Sequence, residues 1–404
     1  MSFVLRKVRI VDGCGQVIDR GRLVVQNDRI TAVGSEKHVS VPRGTPTIDL
    51  PNMTVLPGLI DCHVHLCLGG DADVVRVVQE EEPSLTLLKA AGFAQQTLDA
   101  GFTTVRDLGF RDHTIFTLKQ AIESGALPGP RILAAGLAIC TVGGHASFIG
   151  REVENPQAVV RAVQEQSARG AEVIKFIASG GVLTPGTNPD APQMSPEELA
   201  AGVAEAHRAG LRVAAHAHSA EGMKNAIRAG ADSIEHATLM DDEASALMRH
   251  HGVHMVPTLS ALGNAAGCGL SSGIPDEVLQ KAQALMARHK SSFKKALRTG
   301  IPVAMGTDAG TPFNYHGQNA QELERMVALG MSPMEAIIAA TASAARLLGI
   351  NRVVGTLERG KQADLLIIEG NPLKKIAMLQ ERDRICGVVK GGKFVSGSLA
   401  LEND

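Results

Sequence analysis

Two histidines close an apolar run in "TVLPGLIDCHVHLCLGG", residues 54–70: His63 and His65, two positions apart. The same spacing returns at His216 and His218 in "RVAAHAHS". Single polar residues end other apolar runs: Lys175 in "EVIKFIASGG", His236 in "DSIEHATL" and Asp308 in "PVAMGTDAG". Side chains alternate faces along a strand, so the two members of each pair share a face. One buried, hydrogen-bonded imidazole is commonplace. Five imidazoles, a carboxylate and an ammonium converging on one face cost too much to be there for packing. Imidazole nitrogen with carboxylate oxygen suits a borderline divalent ion such as Zn²⁺, with Mn²⁺, Co²⁺ and Fe²⁺ compatible with the same donors. Lys175 breaks the pattern, because an ammonium offers donors and no lone pair. It belongs in such a set only deprotonated or converted to an anion.

Strands that end together must carry these residues. Between 56 and 349 short apolar, β-branched runs alternate with longer stretches of helical spacing, the pattern of βα units and a parallel sheet. The strand candidates are "TVLPGLIDCHVHL", "FTTVRDLG", "PRILAAGLAI", "EVIKFIASGG", "RVAAHAHS", "DSIEHATL", "HMVPTL" and "PVAMGTDAG", eight in all. Helices are predicted between them, including 195–209, opened by Ser195-Pro196-Glu197-Glu198, and 332–348, opened by Ser332-Pro333. Both starts pair a cap with proline. Eight consecutive units make a (β/α)8 TIM barrel the economical reading of 56–349; a doubly wound open sheet shares the strand count. In a barrel the loops after the strands build the pocket, and all seven residues fall late in their strands. The flanks, 1–55 and 350–404, alternate apolar and polar residues between turn signals, with Gly391-Gly392 as a two-residue hairpin turn. They are predicted to form one small β-sandwich domain from both ends of the chain.

Bulk properties exclude several classes. The chain has 404 residues, enough for one barrel and a smaller module, and 44% are hydrophobic. Forty basic residues against 42 acidic ones leave net −2 and no basic block, so a nucleic-acid partner is not expected. Aromatics at 3%, with no Trp and one Tyr, leave little for base stacking. In "MSFVLRKVRIVDG" three basic residues interrupt the apolar ones, and no apolar run is long enough to span a membrane. Six cysteines without a C-x-x-C pair read as reduced, buried thiols of a cytoplasmic protein.

The combination "GLIDCHVHL", "VIKFIASGG", "VAAHAHS", "SIEHATL" and "MGTDAGTP" resembles the amidohydrolase superfamily. Within it the chain is similar to the imidazolonepropionase-related branch that includes Xaa-Pro dipeptidases and Xaa-Arg/Lys carboxypeptidases. The resemblance spans nearly the whole chain, including the tail motif "GTLERGKQADLLIIEGNPL". It implies that CO₂ converts Lys175 to a carbamate bridging two divalent metal ions, Zn²⁺ by preference. It implies His63, His65 and Asp308 around the more buried ion and His216 and His236 around the more exposed one. It further implies cleavage of an amide (peptide) bond by a metal-bridging hydroxide, with Asp308 as the catalytic residue that takes its proton and delivers it to the amine. A mononuclear site using Asp308 and three or four histidines is the competing arrangement.

The implied substrate is a dipeptide or N-acyl amino acid with a free carboxylate. A cyclic amide, a carbamate or urea, or a xenobiotic aromatic amide would suit the same site. A non-catalytic barrel scaffold would show a missing ligand, and none is missing. Candidate substrate-binding residues are His145 in "TVGGHAS", His218 beside His216, Tyr315 and His316 in "TPFNYHGQN", and Arg106 in "TTVRDLG". Arg106 could bind a carboxylate or pair with an acid such as Asp107. Asp61, one step deeper than His63 on the same face, could orient a ligand. His207, His250, His251, His254 and His289 are read as surface or structural. The expected partners are a small-molecule substrate and further copies of the chain in a homo-oligomer.

Overall fold

The computed structural model describes residues 2–399. Its central ring has staves at Leu59–Val64, Phe102–Asp107, Arg131–Ala134, Val173–Ile177, Arg212–Ala217, Ser233–His236 and His254–Val256, with a last stave at 303–309. The first three pair in parallel, and so do the fourth to seventh. The arcs join at the third candidate, which splits. Arg131–Ala134 pairs with the second strand, while Ala138–Thr141 lies against the fourth, Ile139 opposite Phe176. The 303–309 segment closes the ring, Val303 bridging Met255 on one side and Ala309 bridging Val64 on the other. That closure separates a barrel from an open sheet.

Alternation along the staves sorts the side chains. Val173 and Ala214 face inward with Leu108 and Ala135. Ile174, Phe176, Val213, Ala215 and Ile234 face outward into the layer beneath the helices. The 195–209 prediction appears as Pro196–Arg208, with a reciprocal capping box between Ser195 and Glu198. The 332–348 prediction appears as two helices, Pro333–Ala339 and Ala342–Leu347. The break has a local cause: the carbonyls of Ala339 and Ala340 accept from Met305 N–H and Ile60 N–H of the barrel staves.

The first strand candidate also splits. Met53–Pro57 pairs with Ser2–Val11 and Leu365–Glu369 outside the barrel, and the barrel stave begins at Leu59. The strands at both ends of the chain form one eight-stranded sheet. Phe3 and Phe394 lie four strand steps apart along that sheet, roughly 19 Å if flat, yet their ring centroids are 5.1 Å apart. The sheet therefore folds over on itself as a sandwich, closing on Leu5, Ile10, Leu23, Val25, Leu365 and Ile367. Gly391 and Gly392, with φ of 56° and 76°, turn the hairpin between Ile385–Lys390 and Lys393–Ser396, the backbone that a two-residue turn demands. No helix among the described residues is long and apolar enough to cross a membrane.

Candidate metal centre

At the mouth of the barrel two groups of three donors face each other. The first is His63, His65 and Asp308, all buried. Nε2 of His63 lies 3.3 Å from Asp308 Oδ1, and Nε2 of His65 lies 3.2 Å from the same oxygen. Ligands about 2.0–2.1 Å from a tetrahedral ion sit roughly 3.3 Å from one another, so the spacing fits a common ion. The other ring nitrogens are already engaged: His63 Nδ1 with Glu235 Oε2 at 2.8 Å, His65 Nδ1 with the Gly109 carbonyl at 2.7 Å. This orients both rings with Nε2 toward the cavity.

Charged side chains set this group in place. Glu235 is fully buried and bonds both His63 and, at 2.9 Å, Arg106 Nη2. Burial pushes its carboxyl pKa up, but Arg106 and His63 outweigh burial and bring it down to about 2. Asp61 accepts from His63 N–H at 3.1 Å, from Thr307 N–H and Oγ1, and from Asn319 Nδ2 at 2.7 Å. It ties the turn before Asp308 to the first stave. Burial likewise opposes ionisation of Asp308, yet His63, His65 and Lys175 hold it below the usual carboxylate range. It is therefore an ionised acceptor.

The second group is His216, His218 and His236, each offering a nitrogen within 4.8 Å of the others. Its supports are neutral. His218 Nδ1 meets Thr238 Oγ1 at 2.7 Å, His236 Nδ1 meets Thr258 Oγ1 at 2.6 Å, and His216 Nε2 faces the Gly180 carbonyl at 3.2 Å. A ring nitrogen facing a carbonyl must carry the proton, so His216 presents Nδ1. Burial pushes all three pKa values well below the usual imidazole range, with the neighbouring histidines adding to it. All three are neutral, with lone pairs to give. The two groups meet where the His63 and His236 rings come to 5.3 Å. Lys175, inside the fourth stave and 3% exposed, borders the same cavity. Burial brings its ammonium down to about 8.

Non-glycine residues with left-handed backbone gather at these strand ends: His236 at φ 70°, Thr258 at 49° and Asp308 at 61°. Such conformations are costly and persist only where surrounding structure enforces them.

The other predicted site residues divide. His145 lines the cavity, its ring 4.6 Å from that of His216 and its Nδ1 3.0 Å from Thr184 Oγ1. A Cβ at Gly181 would run into that ring. His218 also lines the cavity. Arg106 does not. It is 1% exposed, one layer below the mouth, with its donors on the Cys62 carbonyl, Ser233 Oγ and Glu235. Tyr315 is 41% exposed and outside the cavity, its ring against Gly70. His316 is buried behind His65: Nε2 faces the carbonyls of His65 and Leu68 at 3.2 and 3.0 Å, and the ring stacks on Phe93. It braces the chain after His65 and does not reach the cavity. Glu235 was absent from the sequence-based candidates, yet it joins His63 to Arg106 and Ser233 beneath the centre.

Residues 54–395 match the amidohydrolase family, and the chain belongs to it. Ochratoxinase from Aspergillus niger is 33% identical, the alignment covering 96% of this chain and 85% of that protein. A crystal structure of a Xaa-Pro dipeptidase with bound methionine in the active site superimposes with a TM-score of 0.91 at 37% identity, covering 98% of this chain and 100% of that one. A prolidase complexed with N-methylphosphonate-L-proline gives 0.90 at 31% identity, covering 98% and 99%.

Proposed function

We propose that the chain is a metal-dependent hydrolase cleaving the amide bond of a dipeptide or N-acyl amino acid. The observation that carries this reading is the pair of buried donor groups facing one cavity at the barrel mouth, with Lys175 beside both. His63, His65 and Asp308 would hold one ion and His216 and His236 the other, with Zn²⁺ suited to both sets. When bound, such ions polarise a carbonyl and lower the pKa of a water.

The chain's own residues supply the rest. Asp308, ionised and facing the cavity beside His63 and His65, can take a proton at a carboxylate oxygen and return it to a departing amine. Lys175 with its lowered pKa has a substantial neutral fraction near pH 7.5, the form that adds CO₂. The resulting carbamate is an anion with two donor oxygens, which resolves the misfit of an ammonium among ligands. The neutral imidazole of His145 borders the cavity, where it can donate to a substrate carbonyl. The names of the relatives, a dipeptidase, a prolidase and an ochratoxinase, support hydrolysis of an amide.

Metal analysis of protein purified without chelator, with turnover of a panel of dipeptides, N-acyl amino acids, carbamates and lactams, tests the reading. Two ions per chain and chelator-sensitive amide cleavage are expected. An empty centre with no turnover on the panel would overturn it. A Lys175→Ala protein keeping both ions and full turnover would sink the carbamate assignment.

A further inference from the structure

Beyond the histidines, Lys175 and Asp308, the cavity that the metal centre opens into is walled by apolar side chains and Thr311. It is a cleft continuous with solvent, the concave setting in which small organic ligands are usually held. Its walls include Phe148, Ile149, Val182, Leu183, Leu262 and Ala265. Among the described lining residues the only charged side chains are Lys175 and Asp308, and both belong to the centre. The single lining hydroxyl, Thr311 Oγ1, donates to the Asp308 backbone carbonyl at 2.7 Å.

A zwitterionic dipeptide needs an acceptor for its ammonium and a donor for its carboxylate. The one carboxylate lining the cleft is engaged by His63 and His65. Arg106 is spent on Glu235 inside the barrel. Lys281, behind the 183–187 loop, is held by Glu277 at 2.7 Å and the Thr184 carbonyl at 3.2 Å, and does not line the cleft. An unpaired charge against apolar walls is costly, while a bulky apolar group gains by leaving water.

Building on the amide-hydrolase reading, we infer that the substrate class is amides with a bulky apolar acyl group and no free α-ammonium, and that the site does not read a carboxylate on the amine side. Phe148 and Leu183, both half-buried at the wall, set the preference for the acyl group.

Three matched compounds test this on the metal-loaded enzyme: Phe-Leu, 3-phenylpropanoyl-leucine, which lacks only the ammonium, and N-(3-methylbutyl)-3-phenylpropanamide, which lacks the carboxylate too. Removing the ammonium is expected to raise kcat/KM about 100-fold, and removing the carboxylate to change it less than about threefold. Leu183→Asp, placing an acid on a half-buried wall, should shift the first ratio about tenfold toward Phe-Leu in protein that circular dichroism shows to be folded at the assay temperature. The inference falls if Phe-Leu is the best of the three, if loss of the carboxylate costs more than about tenfold, or if Leu183→Asp leaves the ratio unmoved. If none is cleaved, calorimetric binding of the same compounds decides. Tighter binding of the neutral amide keeps this inference while the hydrolase reading fails, and tighter binding of Phe-Leu overturns it.

Discussion

The two donor groups do similar chemistry with opposite supports. Around His63, His65 and Asp308 the neighbours are charged and interlocked: Glu235 with Arg106, and Asp61 with Thr307 and Asn319. Around His216, His218 and His236 they are threonine hydroxyls and a backbone carbonyl. Both sets are buried, so solvent access does not distinguish them. Charge does. A cation gains more from a site whose ligands include an ionised carboxylate and a histidine polarised by a second one. The first group is thus the firmer seat and the second the more easily emptied.

The largest break in that comparison is at the carboxylate of the first group. Asp308→Asn preserves shape and removes both the charge and the proton acceptor. Turnover should fall on the order of 10⁴-fold, with loss of the more tightly held ion in metal analysis. Glu235→Gln comes next, and acts through stability. It leaves the Arg106 guanidinium, 1% exposed, without a counter-charge, a defect that costs about 3–5 kcal/mol. Urea unfolding measures it, and a loss below about 1 kcal/mol would show that Arg106 is compensated elsewhere.

Glu235 also marks what the sequence conceals. The histidine pairs, Lys175 and Asp308 were legible because polar residues at the ends of apolar strands are rare and alternation placed each pair on one face. Glu235 precedes His236, and strict alternation would point the two oppositely. The strand gives way at His236, where φ is 70°, so both reach the barrel interior. That backbone turn has no sequence signature. Arg106 was ambiguous for a related reason: its strand was readable but its depth was not, and a layer below the mouth it serves the fold. Tyr315 and His316 follow Asp308 closely in sequence, yet the loop carries Tyr315 onto the surface and His316 behind His65. The barrel and the two-ended sandwich were legible in period and order. The splits at Pro57, Gly136 and Ala340 were not, because each depends on hydrogen bonds to residues distant in sequence.

A smaller effect probes the neutral side. Thr258→Val removes the hydroxyl at 2.6 Å from His236 Nδ1 while keeping the shape. Loss of such a support typically weakens metal affinity 10–100-fold. Competitive chelation should show about tenfold earlier release of one ion and an unchanged second. Equal loosening of both ions would mean that the two groups act as one unit and the comparison fails.

The smallest expected effect concerns the wall beside the second group. Thr258 is followed by the helix Leu259–Gly267, which carries Leu262 and Ala265 into the cleft. The buried Glu322 carboxylate caps its first turn, accepting from the N–H groups of Leu259 and Ser260 at 2.7 Å each and from Ser260 Oγ at 2.6 Å. Burial outweighs these bonds and raises its pKa from 4.5 to about 7. Between those values the folded chain holds a proton that the unfolded chain has released, so stability falls as pH rises. The contribution is complete below 4.5 and lost as pH passes through about 7. Glu322→Gln has no proton to lose, so the difference in urea midpoint between it and the parent should slope across this window and level off on both sides. A flat difference would mean that the carboxylate is already ionised in the folded state. The cap would then be a fixed charge like those around His63, and the contrast between the two halves of the site would be confined to the ligands' immediate partners.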